Sequence, residues 1–209
     1  MREILFRGKR RDNREWVFGC YYKQTEFYGD KLEPFGIMII TSSESLCYDQ
    51  ALEYYAISEK TVGQFTGLYD STKWEDLTDA EKLDFYKQHY IGEDGMSVRF
   101  QHIDDVKHLW KGKKIFEGDI LSVLVNEMAY PEEGSFEEDV LGRRKMPTGN
   151  KVRTVWSVEY RTRNSTGNTF YVFGKDRRFS HILTGNTVYN ANAKVIGNIH
   201  DNPELLETA

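Results

Sequence analysis

The sequence predicts a mainly β protein, with N-terminal hairpins packed beside a C-terminal SH3-like small β barrel and a short helical insertion between them. Three observations carry this. Aromatics make up 14% of the 209 residues, with 13 Tyr and 12 Phe, and such rings fit a pleated, half-buried surface. Apolar runs of strand length recur along the chain, separated by Gly, Asn and Asp clusters. Only one stretch, 78–90, has a strong helix start signal followed by an apolar side.

The elements follow in order. Ile4-Leu5-Phe6 and Trp16 to Tyr22 read as a hairpin about the polar turn Arg10 to Arg14. Phe35 to Thr41 is a near-continuous apolar run, predicted to be a strand buried on both faces with Pro34 at its start. Residues 52–57 are ambiguous, and Thr61 to Thr66 is extended, ending at Gly67. Thr78 caps the predicted helix, with Glu81 completing a capping box and Leu83, Phe85 and Tyr86 supplying its apolar side. Beyond it, 114–116 and 119–125 read as strands about Glu117-Gly118, and 126–150 as a long polar loop. Strands at 152–160 and 168–173 flank the turn Asn164 to Gly167, 175–183 reads as a helical turn, and a last strand runs near 194–199. The organisation expected is an N-terminal β region (1–70), an insertion with one helix (71–112) and a C-terminal barrel region (113–209), forming one compact unit.

Composition narrows the function classes. Net charge is −5, which argues against a chain-wide polyanion-binding surface, because nucleic-acid binding rests on neutralising phosphates. No apolar stretch reaches the length of a membrane span. The N-terminus lacks an apolar signal-peptide region, so a cytoplasmic protein is expected. Cys20 and Cys47 match neither a zinc ligand set nor a disulfide scaffold and are read as core residues.

Three strings together resemble one family. They are Arg7-Gly8-Lys9-Arg10 with Glu15-Trp16-Val17-Phe18-Gly19; Thr61 to Asp70 completed by Gly112 to Ile120; and Val195 to Leu206. The chain resembles the YopX family of phage and prophage proteins. The resemblance implies a mainly β protein encoded by a phage or integrated element, working in the cytoplasm of a bacterial host cell, and it implies no particular reaction. In typical members the Thr-Gly-Leu-x-Asp string runs almost directly into Gly-Lys-x-Ile-x-Glu-Gly-Asp-Ile; here residues 71–111 intervene.

Beside the resemblance, the strings have structural readings. Gly118-Asp119 forms a tight turn, with Asp119 bonding backbone amides at the strand entry, and Trp16 is a core aromatic. Gly197-Asn198 reads as a bulge and Asn202-Pro203 as a turn that tucks Leu205 and Leu206 inward. Gly63, Gly67 and Glu117 belong to the same strings.

A search for chemistry finds no helical His pair, phosphate cradle or nucleophile elbow, so no metal, cofactor or catalytic residue is assigned. The one enzymatic constellation worth testing is Glu117, Asp119 and His200. A nucleic-acid patch would use Arg7, Lys9, Arg10, Arg11, Arg161 and Arg163. The acidic run from Glu127 to Asp139 would be solvated, or imitate DNA. The leading expectation is a non-enzymatic accessory protein that binds a host or phage protein and self-associates, with nucleic-acid association as the alternative.

Overall fold

The computed structural model describes residues 5–28, 31–41, 52–89, 99–129, 145–163, 167–174 and 180–207. They form two antiparallel sheets. In the first are β1 (Phe6–Lys9), β2 (Trp16–Tyr28), β3 (Lys31–Thr41), β4 (Leu52–Ile57), β5 (Gly63–Tyr69) and β6 (Lys114–Phe116), ordered β4-β3-β2-β1-β5-β6. In the second are β7 (Asp119–Ala129), β8 (Met146–Arg163), β9 (Gly167–Gly174), β10 (Ser180–Ile182) and β11 (Lys194–Asn198), ordered β10-β9-β8-β7-β11.

Short-range chemistry sets the first hairpin. Asp12 accepts from the Asn13 amide at 2.8 Å and Asn13 accepts from the Glu15 amide at 3.0 Å, turning the chain between β1 and β2. A bridge from Arg10 to Ile57 ties the far strand β4 to the chain just beyond β1. Pro34 lies inside β3 rather than at its start. It pairs with Thr25 in a part of the strand that β4 does not reach, so on that side its missing N–H removes no ladder bond.

The main core lies on one face of the second sheet. Leu121, Val123, Trp156, Val158 and Val172 meet Leu183, Val188 and Ala191, and the last three bring in a short helix, α2 (Gly185–Asn190), which the sequence reading did not anticipate. Thr184 caps it by accepting from the Thr187 amide at 3.1 Å. The predicted 152–173 hairpin is present in continuous register from Trp156↔Gly174 to Arg163↔Gly167; its turn residues 164–166 lie outside the described residues.

Residues 71–111 build a second, aromatic cluster. Trp74, Leu77 and Val106 are buried, with Phe85, Tyr86 and Trp110 packed against them. The predicted helix is α1 (Asp79–His89), and its capping box is formed: Thr78 Oγ1 accepts from the Glu81 amide, and Glu81 accepts from the Thr78 amide. Leu83 is a correction. It is 43% exposed, because the half-buried stripe of α1 runs through Glu81, Lys82, Phe85, Tyr86 and His89, and at about 100° per residue Leu83 points well away from its centre.

Other expectations are also corrected. The C-terminal strands form an open sheet and not a closed barrel: among the described residues its edges, β10 and β11, are not paired with each other. Strand β6, assigned to the barrel, pairs instead with β5. The reason lies in the turn between β6 and β7, where Gly118 N–H donates to Val158 O and Gly118 O accepts from Ile199 N, so the chain changes sheets there. Residues 180–182 of the predicted helical turn form β10, and 175–179 lie outside the described residues. Strand structure reaches into both ends of the predicted 126–150 loop, with Ala129 paired to Met146; residues 130–144, which hold most of the acidic run, are not described. Cys20 is exposed, being on the open face of β2, and not a core residue; Cys47 lies outside the described residues. No helix is long and apolar enough to cross a membrane among the described residues.

Candidate functional site

The residues of the three strings come together at the sheet-changing corner. Gly118 takes φ 82°, and any side chain there would be strained. Gly63 lets β5 approach the corner: a Cβ at that position would lie 2.4 Å from Glu117 O. Asp119 is 1% exposed; its Oδ2 accepts from the Phe116 amide at 2.7 Å, and its Oδ1 sits 2.5 Å from Arg7 Nη2. Arg7, on β1, is also buried, donates to Glu117 O at 3.2 Å, and lies between the rings of Trp16 and Phe116 at 4.8 and 4.9 Å. The pair is close but poorly aligned, since neither Asp119 Oδ1 nor Arg7 Nε has a hydrogen-bond partner. Burial outweighs the guanidinium and raises the Asp119 carboxyl to about 6.

On the outer side of the corner, Asp201 joins the first hairpin to the segment that follows β11. It pairs with Lys9 and accepts from Trp16 Nε1 at 2.8 Å and Asn198 Nδ2 at 2.9 Å. Burial opposes its charge, yet these hydrogen bonds hold its carboxyl down to about 2. His200 packs against Trp16, ring centroids 6.1 Å apart. Burial, then the charge of Arg7, lowers the pKa of His200.

Glu117, Asp119 and His200 therefore surround one glycine but face different ways. Glu117 accepts from the Tyr160 amide at 3.3 Å, with its pKa raised mainly by burial. Asp119 faces Phe116 and Arg7, and His200 faces Trp16. No hydrogen bond joins any two of the three among the described residues.

The basic residues are likewise not gathered into one patch. Arg7 and Lys9 are engaged at the corner, and Arg10 pairs with Asp12 and stacks over Tyr55 at 4.2 Å. Arg11 is exposed. Arg161 pairs with Glu159 at 2.6 Å and lies over Phe173; the side chain of Arg163 is not described. Gly67 sits where the β5–β6 register shifts, and Gly197 at the shift in β11, against Asn202 and Leu205. Pro203 opens the closing 3-10 turn to Leu206.

One organising residue was not singled out from the sequence. Asp70 is 5% exposed, and its carboxylate accepts from the amides of Thr72, Lys113 and Val195 and from the Thr72 hydroxyl, at 2.7 to 2.9 Å. It joins β5, the end of the insertion and β11. Its place in the Thr-Gly-Leu-Tyr-Asp string was the available signal.

A cavity of about 940 Å³ opens elsewhere, between the second sheet and α2. Leu124, Val125, Met128, Trp156 and Ile182 form its apolar wall. Asn126, Lys151, His181 and Asn190 supply the polar rim. Met128 and Ile182 are 47% and 39% exposed, and β10, at the sheet edge, forms one side. Lys151 has no ion-pair partner among the described residues.

The C-terminal half, from Trp110 through β6, the corner and the second sheet to the closing 3-10 turn, matches the family described as YopX protein over residues 110–207. This segment is a YopX family domain. No curated protein and no solved structure matches the chain. The YopX segment contains the corner, Asp119, His200, Asp201 and the whole groove, whereas Arg7, Lys9, Trp16 and Asp70 meet it from outside.

Proposed function

We propose that this is a non-enzymatic accessory protein of a phage or prophage, acting in the bacterial host cytoplasm by binding a host or phage protein. The phage origin rests on the resemblance carried by the three strings. The binding role rests on one observation, the groove beside α2, whose apolar wall is open to solvent with Met128 and Ile182 partly uncovered. A concave apolar surface with few polar groups on its rim is what a partner's apolar segment needs, and Lys151 on that rim suits an acidic group flanking the segment. The non-enzymatic reading draws on the corner's carboxylates, because Asp119, Glu117 and Asp201 each accept a hydrogen bond from a structural partner. Nucleic-acid association is the lesser reading, because Arg7, Lys9 and Arg10 are engaged in ion pairs within the chain.

The test is affinity capture with the full chain from nuclease-treated host lysate, comparing wild type with Met128→Glu, Ile182→Glu. The expected result is one protein enriched by wild type and lost with the variant. Equal capture by both would overturn the groove as the surface. Capture seen only from lysate left without nuclease, with salt-sensitive nucleic-acid binding that is lost when Arg10 and Arg11 become Glu, would favour the nucleic-acid reading.

A further inference from the structure

The groove reaches an open strand edge. Strand β11 pairs with β7 from Asp119 to Ser122 and goes no further. Just beyond, the Leu124 amide donates to Ala191 O at 2.7 Å, so Leu124 turns its main chain away from β8 and toward the β11 side. Main-chain groups alternate between the two sides of a strand. Val125 therefore bonds toward β8, where it lies opposite Val152, and Asn126 turns back toward the β11 side. There Leu124 O, Asn126 N–H and Asn126 O meet no partner among the described residues. The cavity runs along this edge. Successive side chains of a strand point to opposite faces, yet Leu124, Val125 and Asn126 all line the cavity, and a cavity touches both faces of one strand only across its edge.

We propose, resting on the groove reading, that the partner presents an extended segment that adds to β7 as a strand, with an acidic residue opposite Asn126. Main chain, apolar wall and charge each narrow the occupant. The unpaired donor and acceptors require a main chain at strand spacing, which a helix, with its amides and carbonyls bonded internally, does not offer. Val125 packs toward the core cluster that holds Trp156, and both line the groove, so alternate apolar side chains of the added strand enter it there. On the other face, Asn126 lies directly opposite Lys151. Lys151 is exposed and has no ion-pair partner among the described residues, so a carboxylate beside Asn126 comes within reach of its ammonium group. The register shift between Asn126 and Met128 ends the regular edge. The pairing is therefore short, and the apolar side chains carry the rest of the affinity.

Amide exchange of the full chain, followed by NMR, tests this with the capped peptide Thr-Val-Asp-Val-Thr as probe. In the free chain the Asn126 amide is expected to exchange about a hundredfold faster than the Val125 amide, which bonds β8. About 2 mM peptide is expected to slow Asn126 about tenfold, and the same peptide N-methylated at its Asp is expected to leave it unchanged. An Asn126 amide as protected as Val125 in the free chain, no slowing by the peptide, or equal slowing by the methylated analogue would overturn the proposal. Capture from lysate separates its failure from that of the groove reading. Asn126→Pro removes the outward N–H and leaves the β8 ladder intact, whereas Asn126→Ala keeps that N–H. With an unchanged urea transition, the partner is expected to be lost with Asn126→Pro and kept with Asn126→Ala. If a folded Asn126→Pro keeps a partner that Met128→Glu, Ile182→Glu loses, the groove stands and strand addition fails. If neither variant loses it, both readings fail.

Discussion

The sheet-changing corner and the α2 groove differ in how completely their polar and apolar groups are used inside the chain. At the corner, Asp119, Glu117 and Asp201 each bond a neighbour, and Asp70 nearby accepts four hydrogen bonds. At the groove, Leu124, Met128 and Ile182 line a wall that no described residue fills, and Lys151 has no ion-pair partner among the described residues. The recognisable strings thus encode how two sheets are joined, while the groove lies in residues outside them.

The largest effect should follow from breaking the Asp70 hub. Asp70→Ala would leave three amides without their acceptor and is expected to destabilise the fold by about 4 kcal/mol, read by urea denaturation. Next is the buried pair. Arg7→Met leaves Asp119 buried without a cation and is expected to cost about 3 kcal/mol. Adding Asp119→Asn, which keeps an acceptor for the Phe116 amide, should recover stability to within about 1 kcal/mol of wild type, since replacing both members of a buried pair is often neutral. A double-mutant cycle in urea would measure this coupling.

The same carboxyl gives a pH signature. Its folded pKa is raised from 3.8 to about 6, so the native state holds a proton that the unfolded chain releases. Its favourable contribution is complete below about pH 3.8 and lost as pH rises through about 6. Wild-type stability relative to Asp119→Asn should therefore fall by about 2 kcal/mol between pH 4.5 and 7.5. His200, whose lowered pKa acts in the opposite direction, is present in both proteins and largely cancels. A difference that is flat with pH would refute the burial of a charged Asp119. Trp16→Phe removes the donor to Asp201 and should cost about 1 kcal/mol, seen as a shift in urea midpoint. The smallest stability effect is expected at the groove, where Met128→Glu, Ile182→Glu should stay within about 0.5 kcal/mol of wild type while losing the partner.

Much of this architecture was legible in the residues. Alternation located the β8–β9 hairpin, Thr78 and Glu81 located α1, and Gly118-Asp119 located a turn. The turn's consequence was not legible, because a short Gly-containing turn serves a hairpin or a sheet change equally well, and what decides is where Val158 and Ile199 lie. Helix α2 was missed because Gly185 to Asn190 is too short for a periodic signal. The corner residues were visible as strings, but their partners are more than a hundred positions apart, as with Arg7 and Asp119. The groove carries no motif at all, since apolar residues on adjacent strands read as core until a structure leaves them uncovered.

The central claim, that this chain works by binding a protein through the α2 groove, is tested most directly by the ratio of captured partner between wild type and Met128→Glu, Ile182→Glu at equal folded concentration. A ratio of about ten or more for one protein, corresponding to about 1.4 kcal/mol of binding, is the predicted result. A ratio near one for every captured protein would contradict it.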